Sequence, residues 1–189
     1  MIKKIVITGG LGYIGTELCK IYSGVSWHHK IIVIDNRFIS ERVNQIQNWN
    51  MEFIHGDILD KELVNKYLKN ADIVHHLAGI TDVPRTKSEA SNEKDEKINL
   101  VGEKGTQNIL DAISDKCKII FPSTHVVYEG IDQVKINIQE DEETKPVLSY
   151  SSSKAVNEKQ LKNSGKNYII LRLGSVYGYS TDTARIDIM

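Results

Sequence analysis

Two hydrophobic rhythms take turns along the chain. Residues 2–8, 30–35, 51–55, 72–78, 117–122 and 167–173 are short runs rich in Ile and Val, the composition of strands. Between them, apolar residues return every three or four positions, the spacing of one helix face. Ile14, Leu18, Ile21 and Tyr22 mark a helix over 13–23. Val43, Ile46 and Gln47 share a face in a second, over 40–48, with Ser40 placed to cap it. Asp60 caps a third, which carries Leu63, Val64, Tyr67 and Leu68. Residues 81–97 are the most polar stretch and predict a solvated loop and the exposed start of a fourth helix. Its apolar face is Ile98, Val101, Gly105, Ile109, Ala112 and Ile113. A last helix is expected over 147–163, after a long connection, 124–146, that holds the acidic run 140–143. Strands alternating with helices predict an α/β protein built on a parallel sheet. The 72–78 run is apolar enough for a strand covered on both faces.

Where the first strand meets the first helix, the chain reads Thr8-Gly9-Gly10-Leu11-Gly12-Tyr13-Ile14-Gly15. By itself, Gly10-x-Gly12-x-x-Gly15 fits a tight strand-to-helix turn as well as a pyrophosphate seat on the unpaired N–H groups of a helix N-terminus. Its setting adds weight: a strand before, a helix after, and an acid, Asp35, about 20 residues on complete a dinucleotide fingerprint. That fingerprint predicts a Rossmann-type doubly wound parallel sheet, strand order 3-2-1-4-5-6, with helices on both faces. In such sheets ligands bind beyond the C-terminal ends of the strands. The glycine turn, Asp35, Asp57, Ala78-Gly79 and Ser123-Thr124 all fall there.

With 189 residues, 40% of them hydrophobic and 26% charged, the chain can build one good core and is read as a single domain over 1–189. A net charge of −1 provides no field to recruit nucleic acid or an anionic membrane. No apolar run approaches membrane-spanning length, and the first strand begins at once, without a signal peptide, so a cytoplasmic location is expected. Cys19 and Cys117 read as buried thiols of a reducing compartment. The adjacent pairs His28-His29 and His75-His76 make poor chelates, since neighbours on a strand point to opposite faces, and no metal site is expected.

Tyr150 and Lys154 stand four apart on the last helix, on one face. Such pairs are common on helix surfaces. The functional reading is a phenol acidified by a neighbouring ammonium, a proton acceptor near neutral pH. Thr124, at the end of the fifth strand, can hydrogen-bond the same substrate oxygen. Beside a nicotinamide, these three groups suit hydride transfer to or from a carbinol carbon.

Seven motifs, in order, carry a resemblance: TGGLGYIG (8–15), IDN (34–36), GDI (56–58), HLAG (76–79), FPSTHVVYEG (121–130), YSSSK (150–154) and LRLGSVYG (171–178). Over essentially its whole length the chain resembles the extended short-chain dehydrogenases/reductases, in particular the NAD-dependent epimerase/dehydratase family acting on nucleotide sugars. The resemblance implies NAD as cofactor and a nucleotide sugar as substrate, epimerised at a carbinol carbon; the alternatives are another extended short-chain oxidoreductase or reductase acting on a sugar nucleotide, and an NAD-binding domain without turnover. It sets Gly9, Gly12 and Gly15 at the pyrophosphate, with Tyr13 and Ile14 opening the helix. Asp35, with Asn36 beside it, would take the adenosine ribose. Asp57 and Ile58 would edge the adenine, although Asp57 also suits closing the loop to the next helix. Leu77, Ala78 and Gly79 would line the nicotinamide side. Thr124, Tyr150 and Lys154 would be catalytic, with Lys154 also holding the nicotinamide ribose. Thr124 is chosen over Ser123 because it lies four before Tyr128. Thr124, His125 and Ser175 would meet the substrate. Arg37 reads either as a solvated loop cation or as a group that accommodates the ribose phosphate of NADP. A homodimer through the helices near 98–113 and 147–163 is implied by the resemblance too.

Three positions depart from the family pattern. The Asn usual three residues before Gly-Thr is Gly102 here, counting back from Gly105-Thr106, and Asn99 lies one turn earlier. The Asn that helps hold the substrate diphosphate is Ser175, and the Pro usual after that motif is Tyr179. His125-Val126 stand where sugar 4,6-dehydratases carry Asp-Glu to eliminate water, which argues against a dehydratase. Family members continue past the sixth strand into a seventh and most of the sugar-nucleotide pocket. Residues 174–189 are therefore expected to begin a substrate-binding region that is mostly missing, leaving an exposed apolar sheet edge. Such a chain is expected to bind NAD and to turn over nucleotide sugars poorly.

Overall fold

A computed structural model describes residues 1–81 and 92–178. Six parallel strands lie in the order β3-β2-β1-β4-β5-β6, as the fingerprint predicts. They are β1 (Lys4–Thr8), β2 (Lys30–Asp35), β3 (Glu52–His55), β4 (Ile73–His76), β5 (Lys118–Thr124) and β6 (Asn167–Leu173). The helices between them are α1 (Tyr13–Ser23), α2 (Ser40–Asn48), α3 (Lys61–Leu68), α4 (Asn92–Asn99), α5 (Gly105–Ala112) and α6 (Ser149–Asn163). Order reverses between β1 and β4, so the crevice above these two strands is the switch point of the sheet.

Side chains alternate across each strand, and the alternation sorts the core into two layers. Ile5 and Ile7 of β1 and Ile31 and Val33 of β2 pack with Cys19 of α1 and with Val43 and Ile46 of α2. The intervening Val6, Ile32 and Ile34 face the other way, onto Val64 and Leu68 of α3, Ile109 of α5 and Leu161 of α6. β4 is buried on both sides, as its composition predicts. Its two histidines divide between the faces: His75 meets the Tyr22 hydroxyl at 2.8 Å, and His76 lies between Thr8 and Thr106.

Two helix faces differ from the expected ones. α1 packs through Gly15, Thr16 and Cys19, while Ile21 is 74% exposed and Ile14 also lies outward. The reason is close approach. A Cβ on Gly15 would stand 2.3 Å from the Gly9 carbonyl oxygen, so the helix sits against the turn through its small residues. In α2, Ser40 is the first helical residue rather than the cap, and Ile39 precedes it without a side-chain cap bond. Gln47 is exposed, and the third buried residue is Arg42, whose Nη1 donates to the Leu11 carbonyl at 2.5 Å. Asp60 does cap α3, accepting from the Glu62 and Leu63 N–H groups at 3.0 Å.

Between α4 and α5, Leu100–Lys104 form a π turn. Gly102 in that turn lies against α6: a Cβ there would come within 2.2 Å of Ser153 Oγ. On the far side, β6 pairs with β5 over seven residues, and among the described residues no strand pairs its outer edge. Ile169 and Leu171 are 38% and 44% exposed there. Among the described residues, no helix is long and apolar enough to cross a membrane.

Candidate dinucleotide and catalytic site

The glycine turn is held in place by its own lack of side chains. Gly9 has φ +71°, a region L residues rarely adopt, and a Cβ on it would lie 2.6 Å from the Ala78 nitrogen. The chain therefore turns tightly between β1 and β4 and delivers Gly12 to the start of α1. No side chain caps that helix, and its first turn holds no acid. Its N-terminal N–H groups, which have no intrahelical acceptors, open onto a cleft of about 1140 Å³ above the strand C-termini.

At one end of this cleft, Asp35 closes β2. Its Oδ2 accepts from the Leu11 N–H at 2.9 Å, and its Oδ1 from the Arg37 N–H at 2.9 Å. Asn36 donates to Asp57 Oδ2 at 2.9 Å, and Asp57 Oδ1 takes the Leu59 N–H at 2.9 Å. Asp57 thus closes its own loop while fastening Asn36, which unites the two uses the sequence leaves open. Asn108, buried on α5, donates to the Ile58 and Leu59 carbonyls at 3.0 and 3.2 Å and fixes the floor beneath them. In the middle of the cleft lie Leu77, Ala78 and Gly79, just past β4. The Ala78 N–H reaches Thr8 Oγ1 at 3.3 Å.

At the other end, α6 presents Tyr150 and Lys154 to the cleft beside Thr124. Lys154 Nζ donates to the Pro122 carbonyl at 2.8 Å and lies 4.4 Å over the Phe121 ring and 5.9 Å from the centre of the Tyr150 ring. Burial lowers its ammonium to about 8, against an opposing pull from Glu158. Thr124 Oγ1 accepts from the Val126 N–H at 3.2 Å and caps the short 3₁₀ turn His125–Tyr128. A hydroxyl used this way keeps its proton to donate. Ser123 is occupied elsewhere: its Oγ donates to the buried Glu158 carboxylate at 2.6 Å. Ser175 lines the cleft, whereas His125 is exposed, outside the lining, with Nδ1 3.2 Å from the Leu173 carbonyl. Of the residues predicted from sequence, His125 alone is not brought to the cleft wall.

Three supporting groups had no local sequence signal. Glu129 Oε1 accepts from the Val147 and Leu148 N–H groups, both at 2.7 Å, and from Ser151 Oγ, anchoring the start of α6 from across a loop. Burial pushes its carboxyl up, and the three donors outweigh that and hold it below the usual value. Arg172 meets Glu158 through Nη2 at 2.6 Å and Nε at 2.9 Å, and its Nη1 reaches the Tyr128 hydroxyl and the Glu140 carbonyl. His76, below the cleft, has burial and then the Lys154 charge pushing it down to about 3, so it stays neutral between its two threonines. Among the described residues, no three His, Cys, Asp or Glu side chains gather to hold a metal ion.

Comparison with known proteins shows the family. A profile of the NAD dependent epimerase/dehydratase family matches residues 5–188. The chain belongs to that family. It is similar to CDP-paratose 2-epimerase of Salmonella typhi, at 32% identity over 93% of this chain and 58% of the relative. It is also similar to dTDP-D-glucose 4,6-dehydratase of Dictyostelium discoideum, at 30% over 94% of this chain and 44% of the relative. A solved UDP-N-acetylglucosamine 4-epimerase from Methanobrevibacter ruminantium, in complex with UDP-N-acetylmuramic acid, superposes with a TM-score of 0.77 at 30% identity. That match covers 96% of this chain and 57% of the other. UDP-glucose 4-epimerase from Brucella ovis, in complex with NAD, gives 0.71 at 27% identity, over 90% of this chain and 51% of the other. The chain thus spans about half the length of the relatives it matches, and the NAD-dependent family shares its Rossmann-like sheet.

Proposed function

We propose that this chain holds NAD in the cleft and forms the cofactor-binding and catalytic part of a nucleotide-sugar epimerase. The observation that carries the reading is convergence: the bare N-terminus of α1, Asp35, and the Thr124–Tyr150–Lys154 group all open onto one cleft. The residues fit the cofactor. A diphosphate matches an uncapped helix start with no acid in its first turn, and a carboxylate at the end of β2 matches ribose hydroxyls. When bound there, NAD supplies the hydride acceptor and donor. Tyr150 takes the proton of the sugar hydroxyl as hydride leaves its carbon, and returns it after the sugar has turned its other face. Lys154, held against the Pro122 carbonyl, brings a positive charge to the phenol and favours its deprotonated form. Thr124 donates to the same oxygen and orients it. Ser175 lines the same cleft and would meet the sugar nucleotide. Val126 and the outward-turned His125 leave no acid–base pair next to Thr124, which supports epimerisation over dehydration.

Mass spectrometry of ligand released from the purified chain, with calorimetric titration of NAD, tests the first half; failure to bind NAD defeats it. Turnover of nucleotide sugars by the gene product that carries this chain tests the second. Tyr150→Phe is expected to lower kcat about a hundredfold or more while NAD affinity stays within about threefold. Unchanged turnover removes Tyr150 from the mechanism.

A further inference from the structure

Glu158 lies beneath the β5–β6 end of the cleft, outside its lining, with a side chain 3% exposed. It follows Lys154 by four positions, one turn along the same face of α6. The two side chains grip successive residues of β5. Lys154 Nζ donates to the Pro122 carbonyl at 2.8 Å, and Glu158 Oε1 accepts from Ser123 Oγ at 2.6 Å. The next residue is Thr124, in the cleft wall. The same carboxylate takes Arg172 Nε and Nη2 from β6, at 2.9 and 2.6 Å. Arg172 stands one residue before Leu173 and three before Ser175, which both line the cleft. One buried carboxylate therefore ties together the three stretches that carry Thr124, Lys154 and Ser175.

Its charge matters as much as its grip. Lys154 is withdrawn from water, and burial disfavours its ammonium. The ionisable groups on the elements around it, among the described residues, are Tyr150 and Glu158 on its own helix, His76 on β4 and Arg172 on β6. From α4, Lys94 and Lys97 line the same cleft and Asp95 is half-buried, while Glu93 and Glu96 are exposed, as are Glu103 and Lys104 of the π turn. Burial keeps His76 neutral, and Glu158 is the anion that pulls on the Lys154 ammonium. We propose that Glu158 is the positioning residue of this site, holding the end of β5 against Lys154 and supplying the buried counter-charge of its ammonium, a role that rests on Thr124, Tyr150 and Lys154 being the catalytic group.

A ¹³C NMR titration of the purified chain, with lysine labelled at Cε and Lys154 assigned through Lys154→Met, reads that charge directly and needs no turnover. The wild-type midpoint is expected at about 8. Glu158→Gln, which keeps the shape and removes the charge, lowers it by about one pH unit. Arg172→Met raises it, because the carboxylate loses the cation that offsets it. Glu158→Leu combined with Arg172→Met leaves neither charge unpaired and still lowers the midpoint, since Glu158 acts on Lys154 more strongly than Arg172 does. Ser123→Ala, which loosens the grip and keeps the charge, leaves it within about 0.3 of a pH unit. In the gene product that carries this chain, the alkaline limb of kcat/KM moves with each midpoint, and Ser123→Ala lowers kcat about tenfold with that limb in place. A midpoint within about 0.3 of a pH unit of wild type in Glu158→Gln or the double variant overturns the proposal. So does a shift in the same direction in Glu158→Gln and Arg172→Met, or an unchanged kcat in Ser123→Ala. Absence of turnover in the wild-type gene product, with the midpoints as expected, defeats the catalytic reading instead and leaves Glu158 as the counter-charge of Lys154.

Discussion

At the β1–β2 end of the cleft, the parts are joined by shape. Gly9 and Gly15 let backbone approach backbone at distances no side chain tolerates, and the strands behind them bury Ile and Val on both faces. At the β5–β6 end, they are joined by charge. One buried carboxylate, Glu158, gathers Ser123 of β5 and Arg172 of β6 onto α6, and Arg172 extends the connection to Tyr128 and Glu140. The contrast follows from what each end carries. A turn proposed to seat the cofactor diphosphate needs closeness, which glycine supplies. A helix proposed to present Tyr150 and Lys154 to the cleft needs direction, which ion pairs and hydrogen bonds supply.

The sharpest way to break this comparison is to remove the charge. Arg172→Met leaves the buried Glu158 carboxylate with only the Ser123 hydroxyl and a longer contact to Lys162 at 3.6 Å, and is expected to cost about 3 kcal/mol in urea unfolding. Adding Glu158→Leu should recover most of that, because a buried pair is expensive to split and cheap to replace whole. A double variant as unstable as the single would show that shape, not charge, joins this end. At the other end, Gly9→Ala meets both a positive φ and a backbone contact, and should cost about 2–3 kcal/mol and abolish NAD binding. If it unfolds like the wild type, the turn has room that the geometry denies.

The pH dependence of stability separates two buried titratable groups, His76 below the cleft and Lys154 beside it. His76 is held near 3 by burial and the Lys154 charge, against 6.5 unfolded. The unfolded chain therefore takes up a proton below about 6.5 that the folded chain refuses until about 3, and stability falls as pH drops through that window. Lys154 behaves alike at the alkaline end: lowered by burial to about 8 from 10.5, it makes stability rise as pH climbs between those values. His76→Gln should flatten the acid slope and Lys154→Met the alkaline rise, both read from melting curves; unchanged slopes would assign the titrations elsewhere. The smallest effect belongs to α3. Asp60→Ala, remote from the cleft, should cost about 1 kcal/mol through the lost cap, without altering NAD affinity.

How much of this was legible in the sequence varies with the range of the interaction. Every strand and its order followed from apolar runs and the glycine fingerprint, because strand burial is written in consecutive residues. Asp60 was legible as a cap because the donors it serves lie two and three residues on. Ser40 was not, since nothing local shows that α2 begins one residue earlier than a cap requires. The inward face of α1 was misjudged for a related reason: Ile14 and Ile21 have the right spacing, yet the helix lies so close to the glycine turn that small residues occupy the contact.

What the sequence determined alone is the α/β alternation, the dinucleotide turn with Asp35, and the Tyr150–Lys154 spacing on one helix face. The alternation and the Tyr150–Lys154 spacing depend on neighbours within a strand or a turn of helix, and the fingerprint on an acid at a set distance, about 20 residues past its glycines. The tertiary structure decided which charges meet. Arg172 and Glu158 stand 14 residues apart, Glu129 and Ser151 are 22 apart, and Arg42 and Leu11 are 31 apart. Exposed, such residues would be ordinary surface polar groups. Only the closing of the sheet and the packing of its helices removes water from around Glu158, Arg42 and Ser151 and makes each need the partner it has.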